Sequence, residues 1–447
     1  MPQDKIRERQ EYKNSVFIVK FAVCMPALRE RAVTIICSGR HWHCTNNANR
    51  ADAIKPRGQH GWHGADGTAQ MVRRRWYGAD RTNRSDRKGA INNAGDANLN
   101  QIVLNMKKCV LVSGGAGFIG SHVTVELIEA GYDVIVADNM SNCDETCYEG
   151  VKKITGREDI PFVKMDFCDP VATELLFTAN KIDAVIHFAG FKAVGESVSE
   201  PLKYYKNNLE SFMNVIETAR DHGCGNILFS SSATVYGEPE QLPVTEESPR
   251  QPATSPYGNT KQMCEDILRD SVKAYSNVKG IALRYFNPIG AHPSALIGEL
   301  PRGVPNNLVP YITQTAIGKR EYLSVFGNDY PTPDGTCQRD FIDIVDLAKA
   351  HVFAVRRMLE GKMKNEYEIF NIGTGKPLSV MELITAFEKA NGLKLNYKFA
   401  PRRSGDVTAI WADPTLANKE LGWKAERSIE ETLASAWAWE RHLADKE

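Results

Sequence analysis

Tyr257 and Lys261 stand four residues apart in the segment YGNTK, a spacing that makes two side chains neighbours on one face of a helix. An unperturbed phenol has a pKa of about 10 and is a poor base at neutral pH. A lysine ammonium beside it favours the phenolate and lowers that pKa. The hydroxyl of Ser232, which ends a run of serines upstream, can hydrogen-bond both the Tyr257 oxygen and a substrate hydroxyl. Together the three residue types predict proton transfer to and from an alcohol.

Chance is the alternative explanation for this pair, because a tyrosine four residues before a lysine is a common spacing. In that interpretation Tyr257 is a half-buried aromatic ring beside a solvated Lys261. The serines that follow the predicted strand Ile227–Phe229 favour proton transfer, because a hydroxyl at that edge of the sheet can hydrogen-bond the Tyr257 oxygen.

A glycine-rich turn supplies a second candidate site, in which Gly114, Gly117 and Gly120 are spaced three residues apart. Glycines let the backbone turn tightly and approach a pyrophosphate at the N-terminus of the following helix. An ordinary tight turn is the alternative, because the pattern is GxxGxxG rather than GxGxxG. Asp138 follows 21 residues after Gly117, where an acid binds a ribose hydroxyl and would repel a 2′-phosphate. These positions predict an NAD site rather than an NADP site.

The elements that must position these residues are short β-branched runs alternating with helix-length segments, a pattern typical of a buried parallel sheet with crossover helices. We predict strands at Cys109–Ser113, Val134–Ala137, Ala184–Phe188, Ile227–Phe229 and Ile281–Tyr285. Open sheets of this kind bind ligands at the carboxyl edge, which is where the glycine-rich turn and the serines would lie. The sequence therefore predicts a doubly wound α/β (Rossmann) domain over residues 106–285.

The chain changes character after Tyr285, where Pro and Gly become more frequent. Such composition is typical of irregular regions whose loops build a binding pocket. We therefore predict that residues 286–447 form a smaller substrate-binding region, with some elements returning to the Rossmann domain.

Residues 1–105 differ from the rest of the chain in both charge and pattern. They hold 18 basic and 9 acidic side chains, and no apolar periodicity persists, so we predict disorder or loose local structure. Met106 stands just before the first well-patterned strand and is a candidate start of the native chain. One cluster carries zinc-type ligand atoms without a known ligand spacing, and we predict no metal site from it: Cys37, His41, His43 and Cys44.

The whole chain has the composition of an ordinary globular protein, with 42% hydrophobic and 25% charged residues. Its 55 basic and 55 acidic side chains leave no net field that would attract nucleic acid or an anionic membrane. The longest N-terminal apolar run, residues 16–28, is far shorter than the roughly 20 residues of a spanning helix. The ten cysteines contain no CxxC pair, so reduced thiols in the cytoplasm are expected.

Nine segments between residue 107 and the C-terminus resemble, in the same order, the extended form of the short-chain dehydrogenase/reductase superfamily, and within it the UDP-glucose 4-epimerases. These segments are GGAGFIGSH from Gly114, HFAGFKAVGESV from His187, FSSSATVYG from Phe229, SPYGNTK from Ser255, RYFNPIGAHPS from Arg284, PNNLVPYI from Pro305, FGNDYPTPDGT from Phe326, RDFI from Arg339 and FAPRRSGD from Phe399. The last six are far more specific than the glycine-rich turn. Residues 1–105 have no counterpart in the family.

The resemblance implies a role for each residue at a matching position. Tyr257 would be the base, Lys261 its electrostatic partner and Ser232 the third member of a catalytic triad. The adenosine and pyrophosphate of NAD would be held by Gly114, Gly117, Phe118, Ile119, Gly120, Asp138 and Asn139. The rest of the NAD path would be lined by Asp166, Phe167, Phe188, Ala189, Gly190, Lys192, Asn207 and Tyr285. The UDP-sugar would be held by Asn287, Asn307, Leu308, Phe326, Arg339, Arg403 and Asp406.

Elementary chemistry agrees with three of the implied substrate contacts. The forked guanidinium groups of Arg339 and Arg403 suit a diphosphate, and Asp406 can accept hydrogen bonds from ribose hydroxyls. In isolation, each of the three would more often be a surface ion-pair partner.

Two positions bear on substrate choice. Phe341 stands where the family has Tyr or Phe, so one hydroxyl contact is missing. Ile410 replaces a residue that is often a large Tyr near the sugar. The smaller side chain leaves room beside C2 and predicts turnover of UDP-N-acetylhexosamines as well.

The activity that the resemblance implies is the reversible inversion of UDP-glucose and UDP-galactose at C4 through a 4-keto intermediate. The hydride would pass to NAD and back, so NAD would stay bound as a prosthetic group. The resemblance further implies a homodimer.

Two other functions remain as alternatives. Nucleotide-sugar 4,6-dehydratases resemble the chain up to Ser232, but they place an acidic pair directly after it, where this chain has Ala233 and Thr234. A non-catalytic NAD-sensing protein would keep the glycines but would not need Tyr257, Lys261 and Ser232 together.

Overall fold

The protein is described here by a computed structural model in which the chain divides into two compact units, Met1–Gln101 and Ile102–Glu447. The structure describes residues 107–403 and 406–446, together with the backbone of three short strands near the N-terminus. These three strands pair antiparallel in chain order: β1 (Phe17–Phe21), β2 (Val33–Ser38) and β3 (His41–Asn46). Apart from the backbone of these strands, residues 1–105 lie outside the described residues, and the expectation of disorder or loose local structure there stays a prediction. The expectation of no metal site at residues 37–44 concerns side chains outside the described residues.

The second unit alternates strands and helices along most of its length. Its strands are β4 (Cys109–Ser113), β5 (Asp133–Asp138), β6 (Phe162–Lys164), β7 (Ala184–His187), β8 (Asn226–Ser232), β9 (Lys279–Tyr285), β10 (Asn287–Ile289), β11 (Leu323–Phe326), β12 (Gln338–Asp343), β13 (Tyr367–Ile372), β14 (Pro377–Ser379), β15 (Tyr397–Ala400) and β16 (Ala409–Ile410). Its helices are α1 (Phe118–Glu129), α2 (Glu145–Thr155), α3 (Pro170–Ala179), α4 (Val194–Ser199), α5 (Pro201–Asp221), α6 (Pro256–Ala274), α7 (Leu308–Ala316), α8 (Ile344–Leu359), α9 (Val380–Asn391) and α10 (Ile429–Ala444).

Seven of these strands form one sheet, in the spatial order β6-β5-β4-β7-β8-β9-β13, and every neighbouring pair is parallel. The connections run outward in opposite directions from the centre, so the strand order reverses between β4 and β7. A reversal of this kind opens a crevice at the carboxyl ends of the strands, where doubly wound sheets bind ligands.

The strands of the central sheet are short apolar runs because both faces of the sheet are covered. Val110, Val112 and Ile186 face one apolar layer that includes α1 and α8. Leu111 and Val185, at alternating positions, face a second layer that includes α5 and α6. Alternate side chains of a strand point to opposite faces, so each strand serves both layers.

The C-terminal region builds a smaller structure beside the carboxyl edge of this sheet. β12 pairs in parallel with β10 and β16 and antiparallel with β14, and β11 pairs in parallel with β15. A third apolar cluster, with Ile312, Leu383, Phe387 and Leu433, holds α7, α9 and α10 against these strands.

Two elements of the C-terminal region return to the central sheet. β13 extends it beyond β9, with Phe370 opposite Leu283, and α8 packs on the face that also carries α1. The C-terminal region therefore shares an apolar core with the central sheet.

The predicted doubly wound α/β fold is confirmed. The five predicted strands correspond to β4, β5, β7, β8 and β9, with ends that differ by up to three residues. Within the described residues, no helix is both long and apolar enough to cross a membrane.

Candidate active site

The glycine-rich turn joins β4 to α1 at the crevice between β4 and β7. Gly114 has a φ of +74°, and a Cβ added there would lie 2.7 Å from the backbone nitrogen of Ala189. A Cβ on Gly120 would meet the Gly114 carbonyl. A Cβ on Gly117 would contact only the Gly114 carbonyl, at 3.5 Å. Gly114 and Gly120 are therefore required because no side chain would fit, whereas Gly117 leaves the surface of the turn open.

The N-terminus of α1 is open to an anion. Gly117 is its N-cap residue and provides no side-chain hydrogen bond, and the first turn contains no acidic residue. Unpaired N–H groups at the start of a helix attract phosphate, and a glycine lets the phosphate come close. The turn therefore fits a pyrophosphate.

Asp138 lies at the end of β5, where the sequence predicts it, and it also organises the glycine-rich turn. Its carboxylate accepts hydrogen bonds from the backbone N–H of Ala116 at 3.1 Å and of Met140 at 2.8 Å. The side chain is 8% exposed. A carboxylate has about four lone-pair positions, so acceptor capacity is left for a ribose hydroxyl.

The predicted catalytic pair lies in the first two turns of α6. Ser255 caps this helix by accepting from the Gly258 N–H at 3.2 Å, and Pro256 occupies the first turn, so the start of the helix is fixed at this point. The ammonium of Lys261 lies 5.8 Å from the ring centre of Tyr257 and 4.9 Å from that of Phe229. It donates to the carbonyl of Ser230 in β8 at 2.6 Å.

The electrostatics of the triad follow from its burial. Burial raises the pKa of Tyr257 to about 12, and a hydrogen bond with the Ser232 side chain opposes this rise. Burial lowers the pKa of Lys261 to about 8, and the nearby carboxylate of Glu265 opposes this shift. At pH 7 the phenol is therefore protonated, and the lysine is mostly charged. The structure brings Ser232, Tyr257 and Lys261 together as the sequence predicts.

Several residues expected to bind NAD lie near the ends of β5 and β6. The Asn139 amide donates to the carboxylate of Asp166 at 3.1 Å. Phe167 is buried in the apolar layer next to α5, while Phe118 begins α1 with Ile119 beside it. Asp138, which precedes Asn139, connects this group to the glycine-rich turn through the Ala116 N–H.

Three further residues expected along the rest of the NAD path are Tyr285, Phe188 and Asn207. Tyr285 in β9 shares a short hydrogen bond with the hydroxyl of Ser230, and burial raises its pKa. Phe188 directly follows β7, and its ring centre lies 4.9 Å from that of His351. Asn207 donates to the side chain of Asn208 at 3.0 Å.

Three residues predicted to bind the sugar nucleotide converge although they are far apart in sequence. Arg403 binds the carboxylate of Asp406 with two nitrogens, at 2.8 and 3.2 Å. Arg339 in β12 lies 3.7 Å from the same carboxylate. Two guanidinium groups on one carboxylate leave a net positive charge, and planar forked donors of this kind bind diphosphates.

The other predicted substrate residues occupy the surrounding strand and helix ends. Phe326 ends β11 and is 42% exposed. Asn287 begins β10, opposite Phe341 in β12, and is exposed. Asn307 and Leu308 lie at the start of α7. No side-chain bond joins these residues to the arginines among the described contacts.

Ile410 pairs in register with Arg339 but is 6% exposed. It packs in a small apolar cluster with Ala233, Tyr236 and Phe286. The side chain therefore borders the arginine cluster and the segment after Ser232, and most of its surface contacts protein.

Sequence reasoning missed two polar residues that organise the site. Glu299 accepts from Lys192 at 3.1 Å and from Asn307 at 2.6 Å, so it joins a predicted cofactor residue to a predicted substrate residue. Asn208 accepts from the Phe191 N–H at 2.8 Å and donates to Thr260 at 3.2 Å, which ties the turn at Gly190 to the helix of Lys261. The sequence signal for Asn208 is a polar residue on the apolar face of a helix, α5. Glu299 lies in a loop, where no sequence pattern indicates its role.

The doubly wound sheet, the open glycine-rich turn and the Ser–Tyr–Lys cluster at the carboxyl edge define a nucleotide-binding enzyme of the extended short-chain dehydrogenase/reductase class. Among the described side chains, no group of three or more His, Cys, Asp or Glu residues is arranged to hold a metal.

Comparison with known proteins narrows this class. The family model described as GDP-mannose 4,6 dehydratase matches residues 111–436. The UDP-glucose 4-epimerase of Bacillus subtilis is 52% identical over 331 residues, which cover 74% of this chain and 96% of the relative. The chain belongs to the UDP-glucose 4-epimerase family.

Solved structures agree with this assignment. The UDP-glucose 4-epimerase from Bifidobacterium longum in complex with NAD+ and UDP is 46% identical, with a TM-score of 0.73, and the match covers 76% of this chain and all of that one. The UDP-Glc/GlcNAc 4-epimerase from Campylobacter jejuni is 36% identical, with a TM-score of 0.64, over 75% of this chain and 99% of that one. The likeness includes the C-terminal region as well as the nucleotide-binding sheet.

Proposed function

We propose that this protein interconverts UDP-glucose and UDP-galactose by oxidising C4 to a ketone and reducing it on the opposite face. The observation that carries the proposal is the convergence of Ser232, Tyr257 and Lys261 at the carboxyl edge of the sheet. A 4,6-dehydratase needs an acid and a base directly after the serine, and Ala233 and Thr234 provide neither.

NAD fits the crevice, because Gly117 leaves the surface beside α1 open and the helix start has no side-chain cap. When bound, NAD supplies the acceptor and donor of the C4 hydride. The pyrophosphate and adenosine would be held by Gly114, Gly117, Phe118, Ile119, Gly120, Asp138 and Asn139. The rest of the cofactor would be bordered by Asp166, Phe167, Phe188, Ala189, Gly190, Lys192, Asn207 and Tyr285.

Tyr257 accepts the proton of the C4 hydroxyl in the oxidative half and returns it in the reductive half. A phenol with a pKa of about 12 is protonated at pH 7 and cannot accept this proton. Cationic neighbours are therefore needed to lower its pKa. Lys261 is charged at pH 7 and lies beside it, and a nicotinamide cation would add a second charge. Ser232 would bind the same substrate oxygen and keep it in line with Tyr257.

The substrate is held by its UDP group rather than by its sugar. Arg339 and Arg403 would bind the diphosphate, and Asp406 would accept from the uridine ribose. The remaining contacts would come from Asn287, Asn307, Leu308 and Phe326. Anchoring at the nucleotide leaves the hexose free to turn, and turning presents the second face of the ketone to the cofactor.

We further propose that UDP-N-acetylhexosamines are turned over. Support comes from the position of Ile410 beside Arg339 and from a relative described as a UDP-Glc/GlcNAc 4-epimerase. Isoleucine lacks the phenol that a tyrosine would project toward the sugar, so more room is left for an N-acetyl group.

The protein is proposed to act in the cytoplasm as a homodimer. The seven cysteines of the described region are free thiols, which suits a reducing compartment. Light scattering of the purified protein would test the dimer, since a monomer has a mass of 49.8 kDa.

The direct test of the proposed function is to purify the protein, release and identify its nucleotide, and add UDP-galactose. We expect bound NAD and formation of UDP-glucose without added cofactor. Formation of a 4-keto-6-deoxy sugar would instead indicate a dehydratase. Bound NAD without turnover would indicate a sensor.

A further inference from the structure

A buried carboxylate lies one helical turn after Lys261. Glu265 in α6 is 2% exposed, and Arg284 of β9 donates to its two oxygens at 2.8 and 2.7 Å. The hydroxyl of Ser231 in β8 donates to the same carboxylate at 2.6 Å. A buried ion pair adds little stability over well-packed apolar residues, so stability alone does not explain a charged group here.

The position of Ser231 gives this carboxylate a link to the proposed catalytic residues. The carbonyl of the preceding residue, Ser230, accepts a hydrogen bond from the ammonium of Lys261 at 2.6 Å. The following residue, Ser232, lies close enough to Tyr257 for its side chain to lower the pKa of that phenol. Glu265 therefore joins the strand end that carries both partners to the helix that carries Tyr257 and Lys261.

Arg284, which binds the Glu265 carboxylate, is itself fixed by further hydrogen bonds. Arg284 is the register partner of Ser231 across the β8–β9 pair. Its third nitrogen donates to the hydroxyl of Tyr236 at 3.0 Å, and this hydroxyl donates to Asn371 of β13 at 2.6 Å. Glu265 thus contacts β8 and β9 directly and is linked to β13 through Arg284 and Tyr236.

Glu265 is also the charged neighbour of Lys261. The titratable side chains that face Lys261 are Tyr257, Cys264 and Glu265 from α6 and His187 from β7. Burial raises the pKa of Cys264 to about 12 and lowers that of His187 to about 3, so both are neutral at pH 7. The groups that face Glu265 from other elements are Arg284, Arg250 and Tyr367.

We propose that Glu265 is a positioning residue for the C4 inversion, which fixes β8 against α6 through Ser231 and so sets the approach of Ser232 to Tyr257 and of Lys261 to the Ser230 carbonyl. The inference rests on the proposed function, because it assumes that Tyr257 and Lys261 carry out the proton transfer. Neither Glu265 nor Ser231 contacts the reacting atoms in this scheme.

Ser231→Ala tests the positioning contact without leaving a buried charge unpaired. We expect kcat for UDP-galactose to fall about tenfold, as small misplacements of reacting groups do, with KM and bound NAD unchanged. Ser197→Ala is the matched control, because this serine is buried in α4 and its hydroxyl donates to the Val194 carbonyl of the same helix, at 2.6 Å. Equal kcat in the two variants would overturn the proposal.

Glu265→Gln tests the charge. The amide can still accept from Ser231, but Lys261 loses its anionic neighbour, so the pKa of the ammonium falls. The alkaline limb of the kcat profile should then move to lower pH by roughly 0.5 or more, whereas Ser231→Ala should leave that limb in place. A lower melting temperature with an unmoved limb would indicate a structural role only and contradict the charge effect.

Different results would overturn the proposed function and the proposed role of Glu265. Normal kcat in Tyr257→Phe would overturn the proposed function itself. A large loss in Tyr257→Phe with normal kcat in Ser231→Ala would overturn only the role of Glu265. If Glu265→Gln does not yield folded protein, Ser231→Ala and Ser197→Ala still decide the positioning role.

Discussion

Tyr257 is the proposed base, but its side chain is a buried phenol with a raised pKa. Its pKa of about 12 means that the protein alone does not make it a base at neutral pH. Lys261 has a pKa of about 8, so its charge is present at pH 7 and is lost as the pH rises through that value. Because the ammonium favours the phenolate, its loss above about pH 8 should weaken proton transfer by Tyr257.

Tyr257→Phe isolates the proposed base. The substitution removes the phenol oxygen and keeps the ring beside Lys261, so NAD should stay bound while kcat falls by roughly 10² or more, the usual scale for a positioned acid–base group. Tyr275→Phe is the control, because Tyr275 lies at the C-terminal end of α6 and is 38% exposed. Near-normal turnover in Tyr257→Phe would refute the assignment of the base.

Ile410→Tyr tests the proposed N-acetyl activity. A tyrosine cannot fit among Ala233, Tyr236 and Phe286, so its ring should turn toward the substrate side and exclude the N-acetyl group. We expect turnover of UDP-N-acetylglucosamine to fall selectively in steady-state assays on both substrates. Ile410→Leu conserves volume and should change neither. Equal losses on both substrates, or no N-acetyl turnover by the unmodified protein, would contradict the proposal.

Strands whose ends are set by neighbouring residues could be predicted best from the sequence. β4 was predicted at its exact bounds, because a continuous apolar run ends in a glycine turn. β6 was missed because it has three residues and no fully buried side chain. β13 was not predicted, since its place beside β9 depends on a crossover of about 80 residues that no local signal encodes.

The candidate site divides in the same way. The turn at Gly114 and the Tyr257–Lys261 spacing are local, and both could be predicted from the residues alone. The meeting of Arg339 with Asp406 could be expected only from family resemblance, because it depends on how two distant segments pack. Glu299 could not be predicted, because its two partners come from separate loops.

The segment that follows β10 crosses the cofactor edge of the sheet. Arg302 donates to the carbonyls of Ser141 and Cys143, which follow Asp138 by only a few residues. The Cys147 thiol donates to the carbonyl of Gly298 at 3.5 Å. Substrate-side and cofactor-side elements are therefore tied together next to the proposed adenosine site.

Arg302→Ala should loosen this connection and speed the loss of NAD. The substitution removes two hydrogen bonds from an exposed side chain, so we expect release to accelerate by roughly threefold or more, measured as NAD retained after timed gel filtration. Arg356→Ala, on the exposed side of α8, is the control. Identical retention in the two variants would show that the segment does not hold the cofactor.

At the scale of the whole molecule, the enzyme-like features all lie in the second compact unit, Ile102–Glu447. A chain that begins at Met106 should keep full kcat and bound NAD and should melt within about 2 °C of the full chain, because residues 1–105 show no pattern for a shared core. Activity assays and thermal melts of both proteins check this. A melting temperature lower by several degrees would show that residues 1–105 stabilise the fold.

The central claim is that the hydride leaves C4 and returns to it through one bound cofactor. The most direct measurement is to convert UDP-glucose that carries deuterium at C4, in ordinary water with unlabelled NADH added, and to analyse the product by mass spectrometry. We expect UDP-galactose that keeps its deuterium, since in the proposed reaction the hydride never exchanges with solvent or with free NADH. Loss of the label to water would instead indicate a proton mechanism and would contradict the account.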